Sequence, residues 1–461
     1  MMPMKKTILS LFLAVAAFPA AAQEFETLFD DFAKEAQEEQ NRFLDEANKK
    51  FADFLKESWQ EFQVFAGKEY PRKPKPKTAP VAAVETTATL ESEPATILPG
   101  KRECEYSFYR RPVKLTVPDA IANYRMSCNS EKEIARFWET LAESDYQDYL
   151  AQLRGYASDM GLEGWSLYLL AENCAKTVFG SGCEDEMEVF KTFILNQIGL
   201  DAKMGLADGR LRTMVCIKEQ VYARLFCESE GRKYYFEPDV KSVKELRSYY
   251  ATFADNLSPV SVEISRPMHL GSKETVSTVL KSSTVFGTDI SLPINTAQCD
   301  FYLDFPQVDV DVYARAYCDG AFTSALIETL RPLVSGKDEV SQVNMLLKFL
   351  QCDFNYSTDE DQFGYEKPFF LEENFIYQAN DCEDRSILFS FLVRKLLGLD
   401  VVLLDYPDHI VPAVCFNKEV HGDSFLHNGR RFTVCDPTYI GASVGMAMED
   451  YRAIEFNVLT L

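Results

Sequence analysis

The stretch "NDCEDRSILFSFLVRKLLGLD" runs from Asn380 to Asp400, and "SGCEDEMEVFKTFILNQIGLD" runs from Ser181 to Asp201. The two align without a gap. Cys183 falls on Cys382, Glu184 on Glu383, Asp185 on Asp384, Phe190 on Phe389, and Gly199-Leu200-Asp201 on Gly398-Leu399-Asp400. The same offset carries Val215-Cys216 onto Val414-Cys415 and Glu237-Pro238 onto Asp436-Pro437. Matches that cluster at a helix start, a helix end and strand ends, where backbone geometry is most demanding, read as a duplicated unit. Ile387, Leu388, Phe391, Leu392 and Leu396 recur at helical spacing, and Gly398 sits at the C-cap. Strands follow at Val401–Leu404, Ile410–Phe416 and Arg431–Val434, and in the first copy strands are expected at Leu211–Ile217, Val221–Phe226 and Lys233–Phe236. The fold class is therefore α+β, with two tandem units of helix plus antiparallel sheet.

The second copy carries the chemistry. Asn380 or Asp381 can cap the helix, which places Cys382 at its N-terminus. Free N–H groups and the helix dipole there favour the thiolate, the nucleophilic form. His409 opens the strand "HIVPAVCF", and Asp436 ends the strand "RFTVCDPT". A hairpin turning near Gly422-Asp423 brings the start of one strand opposite the end of the other, so His409 and Asp436 become neighbours. Packing the helix start over that edge completes Cys–His–Asp, with His409 taking the thiol proton and Asp436 fixing its tautomer. The bland readings are a buried cysteine, a surface histidine and a turn aspartate. His421 and His427 are the other histidines of this region, and they fall around the hairpin tip. Glu383 and Asp384 read as acids of the first helical turn.

The segment Asp381 to Tyr439 resembles the transglutaminase-like superfamily, a branch of the papain-like cysteine enzymes. The resemblance rests on Asp381-Cys382-Glu383-Asp384 at a helix start, a strand opening with His409, and Asp436-Pro437-Thr438. It implies two tandem transglutaminase-like units, with Cys382 as nucleophile, His409 as general base and acid, and Asp436 as orienter. It also implies a cysteine hydrolase, a protease or peptidase, acting on a protein or peptide substrate through an acyl-thioester. Protein-glutamine acyltransfer, or a non-enzymatic scaffold retaining the fold, are the alternatives. The resemblance implies as well that an aromatic or amide side chain upstream of the cysteine assists the oxyanion; Tyr356, Gln362 and Tyr377 are the candidates. The backbone N–H of Cys382 is a further donor.

In the first copy the offset places Arg210 at the position of His409 and Glu237 at that of Asp436. Arginine cannot accept a proton at neutral pH, so this copy keeps a cysteine and loses the base. It reads as a degenerate sibling retained as structure, a substrate-binding platform or a dimer surface. A redox-reactive Cys183 beside the arginine is the competing reading.

Outside the repeat, Lys5 and Lys6, the apolar stretch Ile8–Phe18 and Ala20-Ala21-Ala22 form a signal peptide over residues 1–22, which implies a periplasmic or extracellular protein. Phenylalanines recur at three- and four-residue steps from Gln23 to Ala66, giving an amphipathic helical segment over 23–69 that packs on the protein, self-associates or takes a protein partner. A Pro/Thr/Ala-rich linker fills 70–100. The degenerate unit spans 101–255 and the triad-bearing unit 256–461. A net charge of −23 excludes nucleic acid as a partner, and no second apolar run predicts membrane insertion after cleavage. The chain has no CxxC and no HExxH, and its acidic stretches lack EF-hand spacing, so neither a zinc site, an EF-hand nor a cofactor is expected, and calcium is left open only by the resemblance. "GASVG", Gly441–Gly445, has no histidine after it and is not a nucleophile elbow. The 12 cysteines do not have the spacing of a small disulfide framework. Further helices are expected at Glu131–Tyr149, Gly164–Thr177, Glu184–Ile198, Ser324–Leu333, Val340–Leu350 and Glu383–Leu397, and "VDVDVYARAYC" reads as β.

Overall fold

The computed structural model describes residues 19–70 and 100–461. Residues 1–18 of the expected signal peptide, and 71–99 of the expected linker, lie outside the described residues. The chain is α+β, built as a unit that occurs twice. Among the described residues, no helix is long and apolar enough to cross a membrane.

A helix α1 (Pro19–Leu55) and two short strands, β1 (Gln60–Phe62) and β2 (Val64–Phe65), precede the first unit. That unit starts with the hairpin β3–β4 (Lys101–Phe108, Arg111–Pro118) and continues with α2 (Asp119–Ala122), α3 (Glu131–Glu143), α4 (Tyr146–Met160), α5 (Gly164–Phe179) and α6 (Glu184–Gln197). Strands β5 (Ala202–Ala207), β6 (Arg210–Cys216), β7 (Phe226–Ser229), β8 (Arg232–Tyr235) and β9 (Leu246–Ser248) complete it. The second unit repeats the plan. Hairpin β10–β11 (Val276–Ser283, Thr288–Asn295) leads to α7 (Thr296–Leu303), α8 (Val310–Arg315), α9 (Gly320–Val334) and α10 (Glu339–Asp353). Then come β12 (Asn355–Tyr356), α11 (Asp359–Gln362), β13 (Ala379–Asn380) and α12 (Cys382–Leu392), which continues through Leu397 as a wider turn. Strands β14 (Asp400–Tyr406), β15 (His409–Cys415), β16 (Ser424–His427), β17 (Arg430–Val434) and β18 (Asn457–Thr460) close the chain.

The two sheets have one topology. The second runs β16-β17-β15-β14-β18, and the first contains β7-β8-β6-β5-β9 in the corresponding order, all antiparallel. The first has two additional edges: β1 pairs with β9 and β2 pairs with β7. Only Gln63 separates β1 from β2, so one extended segment joins both edges and the sheet curls into a closed barrel. The 23–69 segment is thus helical only to Leu55. Beyond it, alternation replaces the helical period, with Phe62 and Val64 packed on a cluster of Met214, Cys216, Tyr234 and Leu246. In the second unit Tyr451 and Phe456, near the C-terminus, pack on the equivalent face, against Val402, Leu404, Tyr406 and Phe432.

Three further expectations change. The helix expected over Glu131–Tyr149 is two helices, because Ser144 adopts an extended conformation between α3 and α4. The strand expected at Val221–Phe226 begins only at Phe226, since Ala223 takes a left-handed φ of 54° that no strand tolerates. "VDVDVYARAYC" forms α8, and its alternating look comes from a one-turn helix with Val310 and Tyr313 buried at i, i+3.

Candidate active site

Cys382 is the first helical residue of α12, and Asp381 is its N-cap. The Asp381 N–H donates to Asp384 Oδ2 at 3.2 Å. Asp384 Oδ1 accepts from the Phe369 N–H at 2.8 Å, which ties the helix start to the loop before it. Ile387, Leu388, Phe389 and Leu392 are buried. The Ser386 hydroxyl lies within bonding distance of both Cys382 O (2.6 Å) and Ile410 O (2.9 Å). This link holds the first turn of α12 against β15, one residue past His409.

His409 opens β15, and its Nε2 lies 3.0 Å from Asp436 Oδ2, with both residues buried. Asp436 follows β17, and its other oxygen accepts the N–H groups of Thr438 (2.8 Å) and Tyr439 (3.2 Å). With Asp436 accepting the Nε2 proton, the lone pair of His409 is on Nδ1. The expected hairpin is modified. β15 and β17 pair antiparallel, Ala413 opposite Val434, but β16 is inserted between them in sequence and turns into β17 at Asn428-Gly429, whose φ values of 50° and 75° suit a tight hairpin turn. Gly422 instead lies against Gly445, so the rejected GASVG motif serves as backbone packing. His427 sits at the end of β16, as expected for the hairpin tip.

Several residues of the site had no sequence signal. Tyr451 lies against His409, with ring centroids 5.0 Å apart. Burial, then a hydrogen bond to Asp408, push its phenol up to about 12, and the charges of Cys382 and Asp436 add to this. Gln351 donates to the carbonyls of Asp436, Tyr439 and Ala442, so α10 fixes the loop that carries the aspartate. Arg385 is fully buried, bonded to Asn380 Oδ1 (2.9 Å) and Phe354 O (2.8 Å), and lies 5.3 Å from the Tyr356 ring. Of the three oxyanion candidates, Tyr356 is the one whose phenol is raised by burial and then by the charge of Cys382. Gln362 donates to Ala379 O (3.2 Å), and Tyr377 packs edge-on to Phe363 and tilted against Phe369.

The Cys382 thiol donates to Glu383 Oε2 at 3.0 Å. Glu383 belongs to a set that sequence reading missed: one oxygen each from Asp359, Glu366, Asp381 and Glu383 lies within 4.8 Å of all the others. Burial first, and then the neighbouring carboxylates, push Asp359, Asp381 and Asp384 well above the usual carboxyl range. Asp359 Oδ1 and Asp381 Oδ1 are buried without a hydrogen-bond partner among the described residues. Carboxylate oxygens converging in this way are the donor set of a hard divalent cation such as Ca²⁺. Asp359 and Glu366 lie on the stretch before the cysteine, at spacings no motif records.

The matching positions of the first unit differ at each of these points. Cys183 is the N-cap rather than the first helical residue, and Gly182 stands where the second copy has Asp381. Arg210 opens β6, as His409 opens β15, and lies exposed on a cavity of about 610 Å³ with Glu184 and Glu186. Glu237, the counterpart of Asp436, is bound by the buried Lys191, which also pairs with Glu188 at 2.9 Å. All twelve cysteines are unbridged. Comparison of the chain with family models, with curated proteins and with solved structures returned no match.

Proposed function

We propose that the second unit is a transglutaminase-like cysteine hydrolase acting on peptide or amide bonds, in an exported protein. The observation that carries this reading is the buried His409–Asp436 pair at 3.0 Å, anchored by Ser386 beside the turn that starts with Cys382. In this mechanism His409 Nδ1 removes the Cys382 proton, and the sulfur attacks the carbonyl carbon. The proton then passes from His409 to the leaving amine, whose departure leaves an acyl-thioester. Water, deprotonated by the same imidazole, attacks the thioester and releases the acid and the thiol. The oxyanion falls at the first turn of α12, with the phenol of Tyr356 nearby. Buried Arg385, one turn along the helix, favours anionic sulfur. The carboxylates of Asp359, Glu366, Asp381 and Glu383 would hold a hard divalent cation, which when bound supplies positive charge beside the thiol.

An amine in place of water gives acyltransfer by the same machinery. A scaffold role is favoured by one observation, the thiol donating to the carboxylate of Glu383 at 3.0 Å. The test is labelling of the exported protein at neutral pH, with and without Ca²⁺, by iodoacetamide and by a peptide aldehyde. Selective labelling of Cys382 over Cys183, lost in His409→Ala, supports the enzyme; equal labelling of the two cysteines rejects it. Incorporation of a fluorescent amine into casein, against release of casein fragments, separates the two chemistries.

A further inference from the structure

The first unit has a cavity of about 870 Å³ that the chemistry at Cys382 does not use. Its walls come from α5 (Trp165, Tyr168, Glu172), from Tyr222–Arg224 before β7, from Glu237–Asp239, and from Leu303–Gln307 and Tyr365 of the second unit. It is therefore walled by both copies and lies at the Glu237 end of the degenerate site.

Arg224 is the unusual group there. Its guanidinium lies 5.0 Å from the centroid of the Trp165 ring. Trp165 in turn stacks on Tyr168, at 4.6 Å and 23°, and is fixed by its indole N–H donating to Asp304 O at 2.9 Å. Among the described residues the Arg224 side chain makes no ion pair and no hydrogen bond; its contact is the ring. Of the other cations of the wall, Lys176 pairs with Glu172 at 3.1 Å and Arg212 with Asp239 at 3.3 Å, while Lys241 is exposed to solvent. The acids are committed too. Glu237 is held by buried Lys191 and accepts from the Tyr168 hydroxyl at 3.4 Å. Burial, then the charge of Glu237, push the Glu172 carboxyl up to about 7, against the pull of Lys191 and Lys176. What remains is a planar cation, seated on an aromatic face and backed by a carboxylate already neutralised by lysine. A guanidinium in that setting presents a fork of N–H donors suited to a carboxylate. The Trp165–Tyr168 stack beside it, with Phe305 and Tyr365 on the wall, offers apolar surface to whatever carries that carboxylate.

We propose that this cavity binds a carboxylate borne on an aromatic or apolar group, with Arg224 taking the carboxylate and the Trp165–Tyr168 stack packing its apolar part. A peptide C-terminus and a small free acid share this chemistry. The site stands apart from the reading of Cys382 and holds whether or not that cysteine is catalytic. It gives the copy that lost its base a binding role.

Calorimetric titration of the full chain tests it with three probes: N-acetyl-phenylalanine, N-acetyl-alanyl-phenylalanine, and the C-terminal amide of the second. Both acids are expected to bind, and the amide to bind at least about tenfold more weakly, the loss of one charged hydrogen-bonded contact. Tighter binding of the dipeptide identifies a peptide end; equal binding of the two acids identifies a free acid. Arg224→Gln is expected to remove the preference for acid over amide, and Lys241→Gln to keep it. Equal affinity of acid and amide for the unmodified chain, or no heat from any probe at millimolar concentration, overturns the proposal without reliance on a variant that folds.

Discussion

At the scale of single residues, the site is decided by which group each carboxylate serves. Asp436 has both oxygens engaged, one by His409 and one by the turn N–H groups of Thr438 and Tyr439. Asp436→Asn keeps the shape but can present an amide N–H to the imidazole and so favour the wrong tautomer. Turnover is expected to fall roughly 10³–10⁴-fold, with the fold intact by circular dichroism. Asp359 is the opposite case. Its Oδ2 accepts from the Lys367 N–H at 2.6 Å, while its Oδ1 is buried without a partner among the described residues. Calcium that binds only the native state stabilises it by about 2.7 kcal/mol at a hundred times its dissociation constant. A rise of several degrees in melting temperature on adding Ca²⁺, lost in Asp359→Asn, is the expected result; an unchanged melt would sink the cation assignment.

At the scale of elements, the N-terminal segment is part of the first unit. Phe51 of α1 is buried against Trp138 (4.9 Å), Phe253 (5.5 Å) and Tyr249 (5.6 Å). Asn48 Oδ1 accepts from the Trp138 indole at 3.1 Å and from Gln197 at 2.8 Å. Phe51→Ala is expected to cost about 3–5 kcal/mol, measured by denaturant unfolding, whereas Phe43→Ala, at a half-exposed position, changes little. The period-3.6 pattern revealed α1, but it could not show that β1 and β2 close a sheet, because pairing partners nearly two hundred residues away leave no local mark. The same limit governs the site. Cys382, His409 and Asp436 were legible because each sits at an element end with a strong local signal. Gln351, Tyr451, Asp359 and Glu366 were not, since their roles arise only when the chain folds back on them. The offset between the copies carried more information than either copy alone, and it correctly placed Arg210 and His409 at the starts of matching strands.

At the scale of the whole molecule, the two units carry different buried charge networks on one fold. In the second unit the carboxylates surround the thiol. In the first, a lysine has entered the helix at Lys191 and gathers Glu188 and Glu237, with Glu172 beside them. These groups make stability depend on pH, and the sign can be worked out for Glu172. The groups facing it are Glu237, Lys191, Lys176, Tyr168 and Arg224. Burial, then the charge of Glu237, raise its carboxyl to about 7 in the folded chain, against the lysines. A raised acid favours the native state fully below its ordinary titration range near ~4.3 and progressively less as pH rises through the folded value. Glu237 acts the other way. Burial opposes its charge, but Lys191 holds it down to about 2, so its contribution is lost only in acid, outside this window. Glutamine reproduces the protonated form of Glu172 in shape and keeps a donor for Glu237. The stability of Glu172→Gln relative to the parent chain is therefore expected to rise by roughly 2–3 kcal/mol between pH 5 and pH 8. The check is the difference between the two unfolding curves across that range, which cancels the buried acids of the second unit common to both proteins. A difference that is flat with pH would mean that Glu172 is ionised in the native chain throughout, and that the cavity next to Arg224 already holds a second full negative charge.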